Sequence, residues 1–552
     1  MDEARLFVAA IDFGTTYSGF AFSAKNDSSI YTCDWKNGDL TSQKTPTSVL
    51  LDKHQKFAAF GYDADNKYLR SIVPDDQIEN YYYFRRFKMM LHTEKVTLDT
   101  KIKDECTGKC MKAIDIFCIA INYLREQVIK NLKKRILSSK EEDVQYVLTV
   151  PAIWADQAKL FMRKAAEQAK IPKDQLTLAL EPEAASIYCQ NLKTDRDTKA
   201  NTFVGTIKQG MKYMVIDLGG GTADITVHQR QSDDTLEEII PASGGPWGGT
   251  TIDDAYLEFL KTLFSPEVMD GLKENDLEDY FDFLKEFEVK KRSIKAETET
   301  DIVITMNVGL MELIKELKGG INTQIQTTKF KDVVSVDGQK LHIKPETFRN
   351  LFHPTIKNLL DHLEQLFKDS KLSNLKTIIM VGGFSECELV QLAVKNKFGK
   401  KKTIIIPDEA GLAVLKGAVL FGHQRKTIAK RILKKTYGIQ SWPEFDPDIH
   451  PVTKRVTIDG VDRCKDVFFK FATKDDLVED GHSHSHIFQA LKPDEKMLEC
   501  AVFTSTDHNP RYVTDPSCQR LGNLVIDLPN VRPGEKVEIE ETMVFGGTEL
   551  LF

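Results

Sequence analysis

The sequence predicts an α/β protein with two related lobes, followed by a smaller β-rich domain. The duplicated lobes are predicted from two stretches, Leu6 to Phe22 (LFVAAIDFGTTYSGFAF) and Tyr213 to Val227 (YMVIDLGGGTADITV). In each, an apolar run meets an aspartate, glycine and hydroxyl residues before the apolar pattern resumes, which is typical of a β-hairpin with a glycine turn. The two hairpins lie too far apart in the chain to form one supersecondary unit, so we expect one in each lobe.

Length and composition indicate a soluble globular protein with three or four domain-sized units. The 552 residues are 41% hydrophobic and 28% charged, which is ordinary for that class. A net charge of −7 argues against a general nucleic-acid binder. Since Leu6 to Ile11 is a short apolar run and no run is long enough to cross a bilayer, we expect neither a signal peptide nor a membrane span. Nine dispersed cysteines fit the reducing cytoplasm.

The three glycines of the second hairpin suggest a phosphate site. Glycine adopts positive φ and lets backbone N–H groups approach a ligand without a Cβ in the way. Asp217, at the mouth of the turn, could hold Mg²⁺ through water, and the Thr222 hydroxyl could face a terminal phosphate. On this stretch alone, a tight hairpin without a ligand remains an alternative.

The paired hairpins resemble those of the actin-like ATPase superfamily, whose members clamp a nucleotide between duplicated lobes. Within it, DFGTTYSGFAF and DLGGGTAD resemble the 70-kDa heat-shock proteins. The resemblance implies binding of ATP or ADP with Mg²⁺ and slow hydrolysis. It assigns Asp12, Glu181 and Asp217 to the metal shell. It assigns to the phosphates Gly14, Thr15, Thr16, Tyr17, Gly219, Gly220, Gly221 and Thr222.

Between the two hairpins, the resemblance adds a catalytic lysine. Tyr81 to Leu91 (YYYFRRFKMML) places three cations among aromatic residues, and its register against the family favours Lys88 as the residue that orients the attacking water. A cationic surface over an aromatic core is the alternative. The catalytic set that the resemblance implies is Lys88, Glu181, Asp217, Thr222 and Asp224.

The elements that connect the hairpins read as helix, strand and helix. Apolar spacing predicts an amphipathic helix over Ala113 to Arg135, and Val144 to Val150 reads as a buried strand that ends at Pro151. Ala155 to Ala169 is the next predicted helix. Glu181 then begins the helix predicted within Leu178 to Ile187 (LALEPEAASI). A carboxylate there also suits the positive end of the helix dipole.

After the second hairpin, three further elements are expected to reach the nucleotide. Gly248 and Gly249 precede a helix, and backbone amides at a helix N-terminus suit phosphate. Phe287 to Glu297 (FEVKKRSIKAE) is predicted to be helical, and either forms a salt-bridged surface or, by resemblance, covers adenine and ribose. Its residues on one face are Glu288, Lys291, Arg292 and Lys295.

The third element departs from the family pattern. The strand in LKTIIMVGGFS delivers Gly382 and Gly383, but Phe384 and Glu386 stand where the family has a hydroxyl residue and an arginine that stacks on the base. We therefore expect adenine recognition to be built differently. Asp408 belongs to a second hinge element, and the resemblance extends over residues 1 to 425.

The remaining residues, 426 to 552, are predicted to form a β-rich domain without a helical lid that binds a peptide or protein partner. Strands are expected at Arg455 to Ile458, Asp466 to Phe471, Leu498 to Thr504, Leu524 to Leu528 and Lys536 to Phe545. The lidless domain and the altered adenine end resemble the atypical twelfth-member type of the heat-shock family more than its typical chaperones. His482, His484 and His486 could share one face of an extended chain and bind a metal, or lie in a polar loop.

Three functions are compatible with these observations. The first is a chaperone-like, slow Mg²⁺-dependent ATPase linked to stress response. A second is a nucleotide-gated binding or scaffold protein without significant turnover. A third, a sugar or small-metabolite kinase on the same fold, is disfavoured by the DLGGGTAD hairpin and the added β domain.

Overall fold

The computed structural model describes residues 5–25, 27, 29–38, 40–72, 77–93, 95–105, 107–191, 207–492, 496–529 and 536–552. The chain divides into two compact units. The first comprises Met1–Thr226 and Ala242–Gln424, and the second comprises Val227–Pro241 and Arg425–Phe552. Among the described residues, no helix is long and apolar enough to cross a membrane.

The first half of the first unit alternates short strands with a few helices. Its strands are β1 (Phe7–Phe13), β2 (Tyr17–Ala24), β3 (Tyr31–Thr32), β4 (Trp35–Asn37), β5 (Leu40–Ser42), β6 (Thr45–Pro46), β7 (Ser48–Asp52), β8 (Phe57–Phe60), β9 (Tyr81–Arg85), β10 (Lys101–Lys103), β11 (Cys110–Lys112), β12 (Val144–Val150) and β13 (Leu176–Leu180). Its helices are α1 (Tyr62–Lys67), α2 (Met90–Thr93), α3 (Ala113–Arg135), α4 (Asp156–Gln168) and α5 (Glu181–Asn191).

The main sheet of this half has the order β13-β12-β1-β2-β3. β1 is antiparallel to β2 and parallel to β12, which is parallel to β13. Every residue of β1 and β12 is buried, because helices cover a sheet of this kind on both faces. The predicted helix over Ala113 to Arg135 and strand over Val144 to Val150 are confirmed.

The second half repeats this arrangement with more helices. Its strands are β14 (Lys212–Leu218), β15 (Ala223–Arg230), β16 (Leu236–Gly245), β17 (Ile302–Thr305), β18 (Val334–Asp337), β19 (Lys340–Ile343), β20 (Thr377–Val381) and β21 (Thr403–Ile405). Its helices are α6 (Thr250–Phe264), α7 (Pro266–Asn275), α8 (Leu277–Ser293), α9 (Val308–Lys318), α10 (Ile321–Gln326), α11 (Pro345–Arg349), α12 (His353–Leu366), α13 (Glu388–Phe398) and α14 (Ala413–His423).

The sheet of the second half runs in the order β21-β20-β14-β15-β16. β14 is parallel to β20, as β1 is to β12, and β20 is parallel to β21. β14 and β1 therefore hold equivalent positions, and each ends near an aspartate, Asp217 and Asp12 respectively. The duplication predicted from the two hairpins is visible in this shared strand order.

Helices α5 and α14 pack closely between the two halves. Gly417 of α14 lies so near α5 that a Cβ there would overlap the carbonyl oxygen of Ala184. Ala184, Ile187, Leu415 and Ala418 belong to a buried cluster that also includes residues of β1 and β12. Small side chains thus allow the two helices to approach at the point where the halves join.

The described residues of the second unit from Ile428 onward form strands with one short 3₁₀ turn. The strands are β22 (Ile428–Ile432), β23 (Thr436–Ser441), β24 (Arg455–Ile458), β25 (Val461–Cys464), β26 (Val467–Ala472), β27 (Leu477–Glu479), β28 (His482–Gln489), β29 (Met497–Ser505), β30 (Cys518–Asp527) and β31 (Glu538–Phe545). All five strand runs predicted for this region fall on these strands.

One four-stranded sheet dominates the second unit. Its order is β26-β23-β29-β30, all antiparallel, and β28 pairs with β31. The core includes Tyr437, Ile439, Phe471 and Met543. The segment 227–241 joins this unit because Leu236 and Glu237 pair with β22.

The three histidines lie on β28, a strand, rather than in a loop. The ring of His484 contacts Phe471, whose carbonyl oxygen lies 2.6 Å from Nδ1, and the His486 ring packs 4.4 Å from the Phe469 ring centroid. In the part of the chain that the structure describes, no group of three His, Cys, Asp or Glu side chains is placed to hold a metal. The rings of His484 and His486 pack against aromatic neighbours.

Candidate functional site

The two predicted glycine turns face each other inside the first unit. A Cβ at Gly220 would clash with the side chain of Thr16, and one at Gly221 would lie 2.8 Å from Oγ1 of Thr15. Within the described residues, the N–H groups of Gly220 and Gly221 have no protein acceptor. Glycine at both positions thus brings the turns together and leaves amides available to an anion.

The first turn is also shaped by a glycine. A Cβ at Gly14 would clash with the carbonyl oxygen of Tyr17, so the turn tolerates no side chain there. The Gly14 carbonyl accepts a hydrogen bond of 2.7 Å from the Thr47 hydroxyl. This contact fixes the turn against the chain that follows β6.

Gly248 and Gly249 support the polyglycine turn from behind. The N–H of Gly248 donates to the carbonyl of Gly221 at 3.2 Å, and that of Gly249 donates to Gly219 at 3.1 Å. Thr250, the first residue of α6, donates to Gly220 at 2.7 Å. Both amides of this glycine pair are therefore engaged with the carbonyl groups of the turn.

Asp12 is buried and paired with a lysine that the sequence analysis did not select. Nζ of Lys44 lies 2.7 Å from Oδ2 of Asp12, and the Thr149 hydroxyl donates to Oδ1 at 3.0 Å. Burial alone would raise the pKa of Asp12, but Lys44 outweighs burial and holds the pKa below its ordinary value. The contact with Lys44 therefore favours the ionised form of this carboxylate.

Glu181 begins α5 and pairs with Lys88. Their Nζ and Oε1 atoms lie 2.8 Å apart, and the Lys88 side chain is only 3% exposed. Its ammonium also lies 5.0 Å from the ring centroid of Trp154. Burial raises the pKa of Glu181 to about 7, although Lys88 opposes the shift. The register that favoured Lys88 places the lysine beside the predicted metal shell.

Asp217 is the carboxylate without a protein partner. Among the described residues, no hydrogen bond or ion pair reaches it. Burial raises its pKa well above the ordinary value, and the neighbouring Glu181, Asp224 and Asp12 raise it further. Gly382, with φ of +84°, lies so close that a Cβ would clash with Oδ1 of Asp217. Carboxyl groups therefore surround Asp217, and its ionised form is disfavoured unless a cation lies beside it.

This donor set fits a divalent cation. Mg²⁺ prefers oxygen ligands and is commonly held by one or two carboxylates together with substrate phosphates. The unpartnered carboxylate of Asp217 is the group that such a cation would neutralise, and Asp12 and Glu181 are the carboxylates beside it. The residues predicted for the metal shell are thus brought together.

Thr222 and Asp224 form a short network after the turn. The Thr222 hydroxyl donates to Oδ2 of Asp224 at 2.9 Å, and the N–H of Ile153 donates to Oδ1 at 3.0 Å. Asp224 is 1% exposed. The network fixes the hydroxyl and ties the second hairpin to the loop that follows β12.

Three of the four predicted residues on α8 lie together. Glu288 pairs with Lys291 at 2.5 Å and with Arg292 at 2.8 Å. The Arg292 guanidinium lies 5.2 Å from the ring centroid of Tyr17, which connects α8 to the first hairpin. The prediction that Lys295 shares this helical face is wrong, because α8 ends at Ser293 and the chain becomes extended at the buried Ile294.

Asp253 of α6 is a second residue that sequence reasoning missed. It accepts from Arg86 at 2.6 Å and from Lys291 at 2.6 Å, and its side chain is 10% exposed. Arg86 adopts a left-handed conformation, with φ of +53°, which is uncommon for a residue with a side chain. This ion pair links the two halves of the unit, since Arg86 follows β9.

The residues predicted to bind the base share fewer contacts with one another than the carboxylates and lysines around Asp217 do. Phe384 lies in a short 3₁₀ helix, Gly383–Glu386. Its ring is close to Gly249, where a Cβ would lie 3.6 Å from Cδ2 of Phe384. Oε1 of Glu386 accepts from the N–H of Gly411 at 3.1 Å. Gly383 and Asp408 are exposed. Glu386 thus anchors the turn before α14.

Comparison with known proteins agrees with this geometry. The family model described as Hsp70 protein matches residues 8–453. The chain is 34% identical to the heat shock 70 kDa protein 12A of Mus musculus, and equally to that of Homo sapiens, with 99% of this chain and 89% of the relative covered in each case. It is 31% identical to human heat shock 70 kDa protein 12B, over 98% of this chain and 88% of the relative. The resemblance inferred from the motifs is confirmed, and the chain belongs to the Hsp70 family, whose members bind nucleotides in an actin-like ATPase fold.

Proposed function

We propose that this protein binds ATP or ADP with Mg²⁺ between its two glycine turns and hydrolyses ATP slowly. The observation that carries the proposal is the apposition of the turns: available amides at Gly220 and Gly221 lie opposite Thr15 and Thr16, beside buried carboxylates of both hairpins. Backbone amides and positioned hydroxyls suit phosphate oxygens. Membership of a nucleotide-binding family supports the same ligand.

The side chains around the turns supply positioning. In hydrolysis, a water oxygen bonds to the γ-phosphorus while the bond to the bridging oxygen breaks, which yields ADP and inorganic phosphate. Lys88 and the Thr222 hydroxyl orient the water, and Asp224 holds that hydroxyl in place. A bound Mg²⁺ supplies charge neutralisation at the phosphate oxygens. Catalysis of this kind rests mainly on positioning and electrostatic stabilisation.

The adenine and ribose lie against α8 in this proposal. Arg292 contacts both Tyr17 and Glu288, and Phe384 lies near the start of α6. An aromatic ring can stack on a base. In this proposal, these groups take the place of the arginine that the family has at the position of Glu386.

Calorimetric titration of ADP tests the nucleotide site. Gly220→Ala places a methyl group against Thr16, so we expect ADP affinity to fall about tenfold or more, equivalent to about 1.4 kcal/mol. Gly522→Ala is the matched control, because a Cβ there meets no atom within 4 Å. Equal ADP affinity in both variants, or no affinity in the wild type, would contradict the proposal.

A binding protein without turnover is the second candidate. It is favoured by the Lys88 ammonium, which is held by Glu181 at 2.8 Å, so that one of its three N–H groups is already engaged. Single-turnover measurement with radiolabelled ATP separates the two candidates. Release of labelled phosphate by the wild type, abolished in Gly220→Ala, supports the ATPase; ADP binding without phosphate release supports the binding protein.

We also propose that the second unit takes a peptide or protein partner and that the protein acts in the cytoplasm. β30 is an edge strand of its sheet, since β29 is its one neighbour among the described strands. Val525 of β30 is 60% exposed. An open strand edge can accept an extended peptide through main-chain hydrogen bonds. Fluorescence anisotropy of labelled extended peptides with the full chain tests this; no binding across a diverse set would count against it.

A further inference from the structure

Lys44 reaches the phosphate site through a gap left by a glycine. It lies between β5 and β6, and its Nζ is 2.7 Å from Oδ2 of Asp12. Gly19 is directly opposite Asp12 in the antiparallel pair of β1 and β2. A Cβ at Gly19 would lie 3.1 Å from Cγ of Lys44. The lysine stem therefore crosses the strand where no side chain obstructs it.

The ammonium of Lys44 stands among the carboxylates of both hairpins. Its side chain is 21% exposed, and that of Asp12 is 7% exposed. Asp217 and Glu181 also attract its charge. Lys88, a fully buried lysine nearby, is engaged with Glu181. Lys44 thus pairs with the carboxylate of the first hairpin, Asp12, as Lys88 pairs with the carboxylate that begins α5, Glu181.

A fixed cation at this position changes what a divalent metal must supply. Lysine binds phosphate as a point charge, and a lysine held by the fold does not dissociate. By occupying Asp12, it also removes one carboxylate from the set available to a metal ion. Because of both effects, the phosphate charge is neutralised more by the protein and less by a metal ion taken from solution.

We propose, on the basis of the nucleotide site described above, that Lys44 is a built-in cation for the nucleotide phosphates. Its ammonium supplies positive charge to the phosphates from a position beside Asp12. Because it also occupies the Asp12 carboxylate, divalent metal ions compete less well for that carboxylate. Nucleoside diphosphate therefore binds with little dependence on Mg²⁺. The affinity of the nucleotide-free protein for divalent cations is correspondingly low.

Calorimetry of ADP on the full chain tests the proposal. In the wild type, we expect the Kd to change less than about threefold between excess Mg²⁺ and EDTA, whereas Lys44→Met should lose at least about tenfold in EDTA and recover when Mg²⁺ is added. Lys36→Met is the matched control, since Lys36 is exposed on β4. Wild-type binding that requires Mg²⁺ overturns this proposal while leaving the nucleotide site intact.

Titration of the nucleotide-free protein with Mn²⁺, followed by electron paramagnetic resonance, gives an independent readout. We expect Lys44→Met to bind Mn²⁺ more tightly than the wild type, because Asp12 is then released. Unchanged Mn²⁺ affinity, or unchanged ADP affinity in EDTA, in a folded Lys44→Met variant overturns the proposal. If that variant does not fold, the Mg²⁺ dependence of wild-type ADP binding still decides it. Absence of ADP binding under every condition instead refutes the nucleotide site itself.

Discussion

Two lysines and four carboxylates set the charge of the site at the scale of single residues. Lys44 holds Asp12 and Lys88 holds Glu181, whereas Asp217 has no described partner. The hairpin motifs predicted roles for Asp12 and Asp217, the LALEPEAASI element for Glu181 and the register for Lys88. Lys44 could not be found that way, because it belongs to no motif and reaches Asp12 only through the space above Gly19.

The pair of Lys88 and Glu181 should be strongly coupled. Lys88→Met leaves a buried carboxylate without its partner, and such a change typically costs about 3 to 5 kcal/mol. We expect Lys88→Met to lower the free energy of unfolding by at most that amount, because Glu181, whose pKa is already about 7, can take up a proton when its partner is lost. Adding Glu181→Gln should restore part of it, because the buried charge is then removed. Chemical unfolding of the wild type, both single variants and the double variant measures the coupling, and strictly additive losses would contradict it.

Among the secondary-structure elements, the bounds of a helix with one buried face and of a fully buried strand could be predicted from the apolar pattern. α3 and β12 have the predicted bounds. The end of α8 was not predictable, because the charge spacing continues through Lys295 while burial of Ile294 turns the chain out of the helix. Contacts between distant elements, such as Arg86 with Asp253, also leave no periodic signal in the sequence.

The contact between α5 and α14 predicts a sensitive glycine. Gly417→Ala would drive a methyl group into the carbonyl oxygen of Ala184. Overpacking of this kind typically costs about 1 to 3 kcal/mol, so we expect a lower melting temperature. Gly383→Ala is the control, since a Cβ there meets no atom within 4 Å. Equal melting temperatures for the two variants would show that the helices are able to separate without cost.

In the second unit, Glu541 of β31 makes stability depend on pH. It is 4% exposed and accepts from Sγ of Cys500 at 3.4 Å, and burial raises its pKa. A folded-state pKa above the unfolded one means that unfolding free energy falls as pH rises through that interval. Glutamine at this position does not ionise. We therefore expect Glu541→Gln to melt higher than the wild type at pH 8 and to lose that advantage towards pH 5.

The exposed Glu538 on the same strand provides the control for this pH dependence. Glu538→Gln should change the melting temperature little at either pH, because an exposed carboxylate is hydrated in both states. A Glu541→Gln advantage of the same size at pH 5 and pH 8 would contradict the assignment of the effect to ionisation.

For the whole molecule, the order of motifs carried more information than any one motif. The two hairpins predicted duplicated lobes, and strands β1 and β14 take equivalent positions in their sheets. The sequence could not show that residues 227–241 group with the C-terminal unit, because that grouping depends on pairing of β16 with β22.

The central claim is that the negative charge of the Asp217 carboxylate would hold the Mg²⁺ that offsets phosphate charge during hydrolysis. Asp217→Asn removes that charge with little change in shape. Because burial and three neighbouring carboxylates disfavour the ionised form, the variant should keep or gain thermal stability. ADP without Mg²⁺ should bind nearly as before, since the amides of the glycine turn are unchanged.

Single-turnover ATP hydrolysis by the wild type and Asp217→Asn, measured beside their melting temperatures, tests this claim most directly. We predict a loss of about 10²- to 10³-fold in rate, the usual effect of removing one positioned electrostatic group, with a melting temperature at or above that of the wild type. An unchanged rate in a folded variant would contradict the assignment of this hairpin as the catalytic phosphate site.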